Sequence, residues 1–573
     1  MLFRSFLDHD LSLTATASPR ERFSIPVPTG DPSFDPAGTG SMTISMSRSA
    51  YDPATGTAAG NPRQQVNSIT AFIDGSQVYG SDATRAAALR EFSGGRMKTS
   101  AGNLLPFNTA GLPNANDAHV VADSQLFLAG DVRANENPEL IAVQTLFVRE
   151  HNRIAAAAAA KNPSWTDEQL YQHARRIVIA ELQKITYDEF LPALLGAGTP
   201  ATAALRAYRG YRPDVNPGIA TEFSTAAFRF GHSMLGDDIK FLDDSGNEVR
   251  AALGLRDAFF NAPVVSQTGI DPILKYLASD RAQEIDTKVV DDVRNFLFGA
   301  PGQGGFDLAA LNIQRGRDHG LADYNSVRAA YGLPRLTSVA QITDDVAVQN
   351  SLAATYGSVD KIDLWVGGLA EKHLPGSSLG ETFTRIIVDQ FSRLRDGDRY
   401  WYQNSLPADA VREIQNTSLA DIVRRNTQVK NLQGDVFFFR TLIGGTVFAD
   451  LNRDGRRQPQ ETGLAGTTVS LVTAAGATIA TTTTDARGNY VFKGLDLGSY
   501  RVVVTPPSGG DAVTSRTVSI TRGGEIRDND VGLAPKAATP PSRPVAPPAP
   551  RPAPPRVAVF AALGTGGPKS GIR

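Results

Sequence analysis

Apolar residues recur every three or four positions through much of residues 1–440, the spacing of helices that bury one face. The stretch FRSFLDHDLSLT, residues 3–14, frames one histidine, His9, between Asp8 and Asp10 and among Phe3, Phe6, Leu7, Leu11 and Leu13. In NPELIAVQTLFVREHNRIAAAAAAK, Pro138 stands at a first helical position, and Leu140, Val143, Leu146 or Phe147, and Ile154 share a face. SWTDEQLYQHARRIVIAELQKITYDEFLPALL follows, with Thr166 and Gln169 spaced as a capping box. Further helices are predicted over 339–353, 378–394 and 407–425. Residues 14–68, dominated by Gly, Pro, Ser and Thr, predict a long loop hugging the surface.

Near Gly444 the texture changes. Val- and Thr-rich stretches punctuated at Ala475-Gly476, Arg487-Gly488 and Leu497-Gly498 predict a small β-sandwich. Beyond it the Pro, Ala and Arg of PPSRPVAPPAPRPAPPR cannot build a core and predict an extended, mobile tail. The expected architecture is a mainly α domain over 1–440, a β-sandwich over 443–533 and a disordered tail over 534–573.

At 573 residues the chain is too long for one ordinary core. Its 57 basic and 59 acidic residues nearly cancel, so neither nucleic acid nor a membrane surface is an expected partner. No apolar run approaches the roughly 20 residues needed to span a bilayer. Cysteine is absent, which excludes disulfides, thiol catalysis and thiolate metal sites, so redox chemistry would have to come from a bound cofactor. Seven histidines leave few bases or ligands to weigh.

Four more stretches accompany the opening one: TAFIDGSQVYGSD (70–82), GDVRANENPEL (130–140), AAFRFGHSM (226–234) and LNIQRGRDHGLADYN (311–325). Singly, Arg133 reads as a surface charge, His232 as a satisfied core histidine, and Asp74 with Ser76 as a turn. Together they match one chemistry. An imidazole beside an arginine is what peroxide cleavage needs, one moving a proton and the other facing charge as the O–O bond breaks. A second histidine, supported by an amide and flanked by arginines, is what haem iron and its propionates need.

These blocks, in this order, resemble the animal-type haem peroxidases of the peroxidase–cyclooxygenase superfamily, in a bacterial branch, over roughly residues 1–440. The resemblance implies haem b, with His9 as distal acid–base and Arg133 as its partner. It implies His232 as iron ligand, Asn312 accepting from its other ring nitrogen, and Arg229 and Arg315 at the propionates. Asp8 and Glu136 match carboxylates that esterify haem methyls. Asp10, Thr70, Phe72 (through its carbonyl), Asp74 and Ser76 match a calcium site, all oxygen donors as a hard cation demands. Of the other histidines, His151 and His319 are expected to serve packing or hydrogen bonding, and His119, His173 and His373 to have no role.

The chain departs from the family at Arg4-Ser5, where a Gly-Gln pair is usual and the glutamine orders distal water and halide. Asn137 stands where a mammalian relative carries a methionine linked to the haem vinyl. The family's segment before the distal helix is also absent, which implies a mis-called or truncated start and a signal peptide upstream.

In the second domain, DLNRDGRRQPQE fits a calcium loop: Asp450, Asn452 and Asp454 at positions 1, 3 and 5, Gly455 at 6, Arg456 at 7 through its carbonyl, and Glu461 at 12. The block resembles the SdrD B-like repeats of bacterial surface adhesins; the alternative is a polar hairpin turn. The expected function is a secreted or cell-surface bacterial peroxidase that reduces hydrogen peroxide and oxidises small donors, phenols or halides and pseudohalides. The alternatives are a fatty-acid dioxygenase of the same superfamily, which would carry a tyrosine where Arg229 stands, and a catalytically inert adhesion protein. Nothing in the sequence names the tail's partner.

Overall fold

A computed structural model describes residues 2–438 except 302–304, and residues 441–534 except 494, 496–497, 507–512, 516 and 521–523. The tail expected from residue 534 lies, from 535 on, outside the described residues, as does Leu497 of the third predicted turn.

The first part is mainly helical. Helix α1, Leu2–Leu11, buries Phe3, Phe6, Leu7 and Leu11. It packs on α2, Pro138–Lys161, where the Phe6 ring stacks on Phe147 at 5.2 Å. The Asn137 side chain caps α2 by accepting from the Leu140 N–H, and Pro138 sits at a position where no N–H is needed. Helix α3, Asp167–Ile185, starts with the expected capping box: the Thr166 hydroxyl accepts from the Gln169 N–H, and the Gln169 amide oxygen from the Thr166 N–H. The chain then passes through a π-turn, Thr186–Phe190, into Leu191–Leu195.

Three predicted helices differ in extent. Over 339–353 a 3₁₀ turn, Val339–Gln341, precedes a helix that begins only at Val346, because the Asp345 carboxylate caps the N–H groups of Ala347 and Val348. The 378–394 helix runs Glu381–Asp396. The 407–425 segment is two helices, Ala408–Gln415 and Leu419–Asn426, since Ser418 and Asp421 form a second cap that restarts the chain. Residues 14–68 contain no helix, only a short pairing of Ile25–Pro26 with Thr43–Ile44 and single bridges such as Thr16 to Ser49.

One apolar core gathers residues from Phe3 to Leu432, and a separate one gathers residues from Ile443 to Leu533. The second belongs to two sheets. In one, Thr468–Thr473 lies between Thr478–Thr483 and Gly498–Thr505, all antiparallel, and Val513–Thr514 and Val518–Ile520 also pair with Gly498–Thr505. In the other, Thr441–Ala449 pairs antiparallel with Asn489–Lys493 and parallel with Gly524–Ile526 and Val531–Leu533. Gly476 and Gly488 hold positive φ of 88° and 82° at two predicted turns. The result is the expected sandwich.

Candidate active site

A cavity of about 530 Å³ opens between α1 and the segment before α2 on one side and, on the other, the 3₁₀ segment Ala227–Met234 and helix α4, Leu308–Asp318. Asp8, His9, Arg133 and Glu136 line the first wall; Arg229, His232, Asn312 and Arg315 line the second. The structure therefore brings together the eight residues expected around a haem.

On the first wall His9 is 4% exposed, with Nδ1 3.7 Å from an Asp131 oxygen and Nε2 3.8 Å from a Glu136 oxygen. Burial, with the nearby Arg133 charge, lowers its pKa to about 4, so the ring is a neutral base at ordinary pH. Arg133 grips Asp131 through two hydrogen bonds, Nε and Nη2 each 2.8 Å from a carboxylate oxygen. Burial opposes the Asp131 charge, but Arg133 outweighs it and holds that carboxylate at about 2. Glu136 is half-buried and opens onto the cavity, and the burial pushes it up to about 7. Asp8 accepts from the Ser12 hydroxyl at 3.3 Å.

On the second wall the Asn312 carboxamide nitrogen stands 2.7 Å from His232 Nδ1, and Arg229 donates to the amide oxygen at 2.9 Å. The sequence reading had Asn312 accepting from His232. Here Arg229 occupies the oxygen, so the nitrogen faces the ring. Burial, with Arg4 and Arg229 nearby, holds His232 well below the usual imidazole range. Burial also lowers Arg229 to about 10. Arg315 donates to Ser47 O, the Ser49 hydroxyl and Asp318, and His319 bridges Ser49 and Thr225 at 2.8 and 2.9 Å, pinning the loop to α4.

These residues fit a haem. A neutral histidine on each wall, one with Nδ1 already tied, suits an iron on one face and a base on the other, and the two arginines suit propionates.

Below His9, the fully buried Asp10 accepts from Ser76 N–H (2.6 Å), Ser76 Oγ (2.7 Å) and Gly75 N–H (3.1 Å). Burial and then the neighbouring Asp74 charge push its pKa well up, and burial raises Asp74 too. Two carboxylates crowded in this way, Asp10 fully buried and Asp74 partly so, suit a cation, with Thr70, Phe72 and Ser76 in the same loop. Among the described residues no three His, Asp or Glu side chains gather as a metal site, so neutral oxygens would complete the set. In the second domain Asp450 accepts from Gly455 N–H with one oxygen, and its other is buried without a partner. Glu461 accepts from Leu451 and Gln458 N–H, and Asp454 from Arg456 N–H, which closes the loop around that oxygen. Asn452 accepts from the Asp454 N–H at 3.1 Å.

Two residues gained roles that sequence reasoning missed. Asp131, two residues before Arg133, carries the D-x-R spacing that would have flagged it. Arg4, noted only as a departure, is 4% exposed, lines the cavity, stacks over Phe228 at 4.9 Å and donates to Phe228 O.

A family model for the animal haem peroxidases matches residues 1–437, and one for the SdrD B-like domain matches residues 441–532. Peroxinectin A of Dictyostelium discoideum is 39% identical over 447 residues, 76% of this chain and 82% of that protein. Two other curated relatives are much longer, and the chain spans 32% and 28% of their lengths. The solved structure of peroxidase A from the same organism superposes with a TM-score of 0.71 at 38% identity, covering 76% of this chain and 85% of that one. The Oryza sativa fatty acid alpha-dioxygenase, at 22% identity and a TM-score of 0.64 over 76% of each chain, shares the fold.

Proposed function

The chain belongs to the animal haem peroxidase family and is a haem-dependent oxidoreductase acting on peroxide, and from that premise we propose which residues do the work. The observation that carries the reading is one cavity with a neutral histidine on each wall and a carboxylate-gripped arginine beside one of them.

Bound haem supplies the iron at which peroxide is reduced. His232 would hold that iron through Nε2, since its Nδ1 faces Asn312. Arg229 and Arg315 would pair with the haem propionates, and Asn312, with its amide turned to present the oxygen, would accept from His232 Nδ1–H. His9 accepts a proton from one peroxide oxygen and returns it to the other as the O–O bond breaks, so water leaves. Arg133 faces the charge that develops there, and Asp131 fixes its guanidinium plane. Asp8 and Glu136 line the cavity, where each would be placed to esterify a haem methyl, with peroxide as the two-electron oxidant and the methyl proton released. Glu136 is the stronger candidate, being within 3.8 Å of His9. Acidic organic extraction before and after peroxide cycling reads this: haem that stays fully extractable removes the ester.

Small phenols or anions fit as electron donors, with Ser5 in place of a glutamine bearing on halides and pseudohalides. Calcium would sit at Asp10, Thr70, Phe72, Asp74 and Ser76, and a second ion at Asp450, Asn452, Asp454, Arg456 and Glu461. We place the domain boundary between residues 437 and 441. The SdrD B-like domain supports a secreted or cell-surface location in a bacterium, and no described helix is long and apolar enough to cross a membrane.

The test is a haem titration followed by absorbance. Wild-type protein should bind stoichiometrically, and His232→Ala should lose stable binding because iron loses its one strong protein ligand. Equal affinity in both would reject the assignment.

A further inference from the structure

Tyr79 and His151 lie outside the cavity and outside every role assigned above. Tyr79 ends the one-turn helix Ser76–Tyr79 and His151 lies on α2, both buried. The phenolic oxygen is 3.0 Å from His151 Nδ1, and Nε2 is 2.8 Å from the Gly95 carbonyl oxygen. A carbonyl only accepts, so Nε2 carries the ring hydrogen and Nδ1 presents a bare lone pair. Tyr79 therefore donates to a neutral base. Burial holds His151 at about 4 and pushes the Tyr79 phenol well up, so the resting pair is phenol and neutral imidazole.

The pair lies between the cavity wall and the surface. Phe6, one helical turn before His9, stacks on Phe147 at 5.2 Å and 8°, and Phe147 precedes His151 by one turn of α2. Asp10, next to His9, takes the Gly75 N–H, and the Gly75 carbonyl takes the Tyr79 N–H at 3.0 Å. On the outer side Tyr171 meets Tyr79 edge-on at 6.0 Å. Arg90 covers Tyr171 at 3.8 Å and reaches Phe92, which is 59% exposed.

We propose that Tyr79 and His151 form a proton-coupled redox pair that holds one oxidising equivalent drawn from the peroxide-oxidised haem. The proposal rests on the peroxidase reading, whose activity supplies the oxidant. Tyr79 gives one electron to that haem. Its O–H bond breaks, and the proton crosses the 3.0 Å hydrogen bond to His151 Nδ1, leaving a neutral phenoxyl radical and an imidazolium. One electron from a small donor reverses both movements. The proton moves with the electron because a phenol that has lost an electron is a far stronger acid than imidazolium, and Arg175, 5.3 Å from the ring, opposes a positive charge left there. Burial keeps the radical from coupling with solvent-borne species.

The test uses the full haem-loaded chain, mixed with one equivalent of hydrogen peroxide without donor and freeze-quenched for electron paramagnetic resonance. The expected result is an organic radical whose line narrows when the tyrosines are ring-deuterated. Tyr79→Phe, which removes only the hydroxyl, should abolish it while the first optical change of the haem proceeds as in wild type. His151→Gln still accepts from the phenol and donates to Gly95 but lacks the base, and should cut the yield about tenfold or more. In haem-free protein, ¹⁵N spectra should show His151 Nδ1 unprotonated. A radical that persists in Tyr79→Phe, or none after a normal optical change, would overturn the pair. Absence of the optical change in wild-type protein would overturn it by sinking the peroxidase reading beneath it.

Discussion

Asp131 illustrates how much of the site is decided by single partners. It fixes Arg133 by two hydrogen bonds and faces His9 at 3.7 Å, so one carboxylate orients the cation and biases the base. Arg133, two residues on, was legible only beside the histidine of the opening block, since alone it reads as a surface charge; Asp131 was passed over despite its D-x-R spacing, because aspartates in turns are common. Asn312 was legible as a partner of His232 but not in its orientation, which Arg229 decides from another segment. Burial also sets a pH dependence. His151 and His319 are both held at about 4, so from the unfolded value of about 6.5 down to about 4 the unfolded chain binds more protons than the folded one. Stability should therefore be full above about pH 6.5 and decline as pH falls through that window, with His151 contributing of order 3 kcal/mol. Urea midpoints at pH 7 and pH 4 read this, and His151→Gln should flatten the slope. An unchanged slope would remove His151 from the account.

At the scale of elements, helix starts were the most legible feature and helix interruptions the least. Pro138 with Asn137, and Thr166 with Gln169, announce their helices locally. The break at 416–418 arises because Ser418 and Asp421 form a cap inside an apolar period that runs on across it, and periodicity alone reads through such a restart. The loop 14–68 was legible as a loop, but its function as a strap was not: Arg48 and Ser49 bind Asp318 at 2.9 Å, 270 residues away in one case, and only folding reveals that. Helix α1 hangs on Asp10 and the 70–76 loop, so its position should depend on a cation there. Chelation, or Asp74→Ala, should slow peroxide reduction before it melts the helical domain. Stopped-flow rates and thermal melts at graded chelator concentration read this, and simultaneous loss of rate and fold would contradict it.

For the whole molecule, two cores separate along the chain, and the sequence marks the change where helical spacing yields to Val- and Thr-rich alternation near Gly444. The division implies separate duties. Asp450→Ala, in the loop of the second domain, should lower that domain's melting temperature and leave peroxide turnover within about twofold of wild type, since distant sites act nearly independently. A loss of turnover equal to that of Asp74→Ala would mean the two domains act as one unit.

The whole site depends on a division in which His9 moves the proton in peroxide cleavage and His232 supplies the iron's one strong protein ligand. Stopped-flow mixing of haem-loaded His9→Ala with hydrogen peroxide tests it most directly. Haem content should equal wild type and the peroxide reaction should be slower by about 10²–10⁴-fold, the contribution of one positioned acid–base group. A His9→Ala protein that keeps its haem and reacts at the wild-type rate would contradict it.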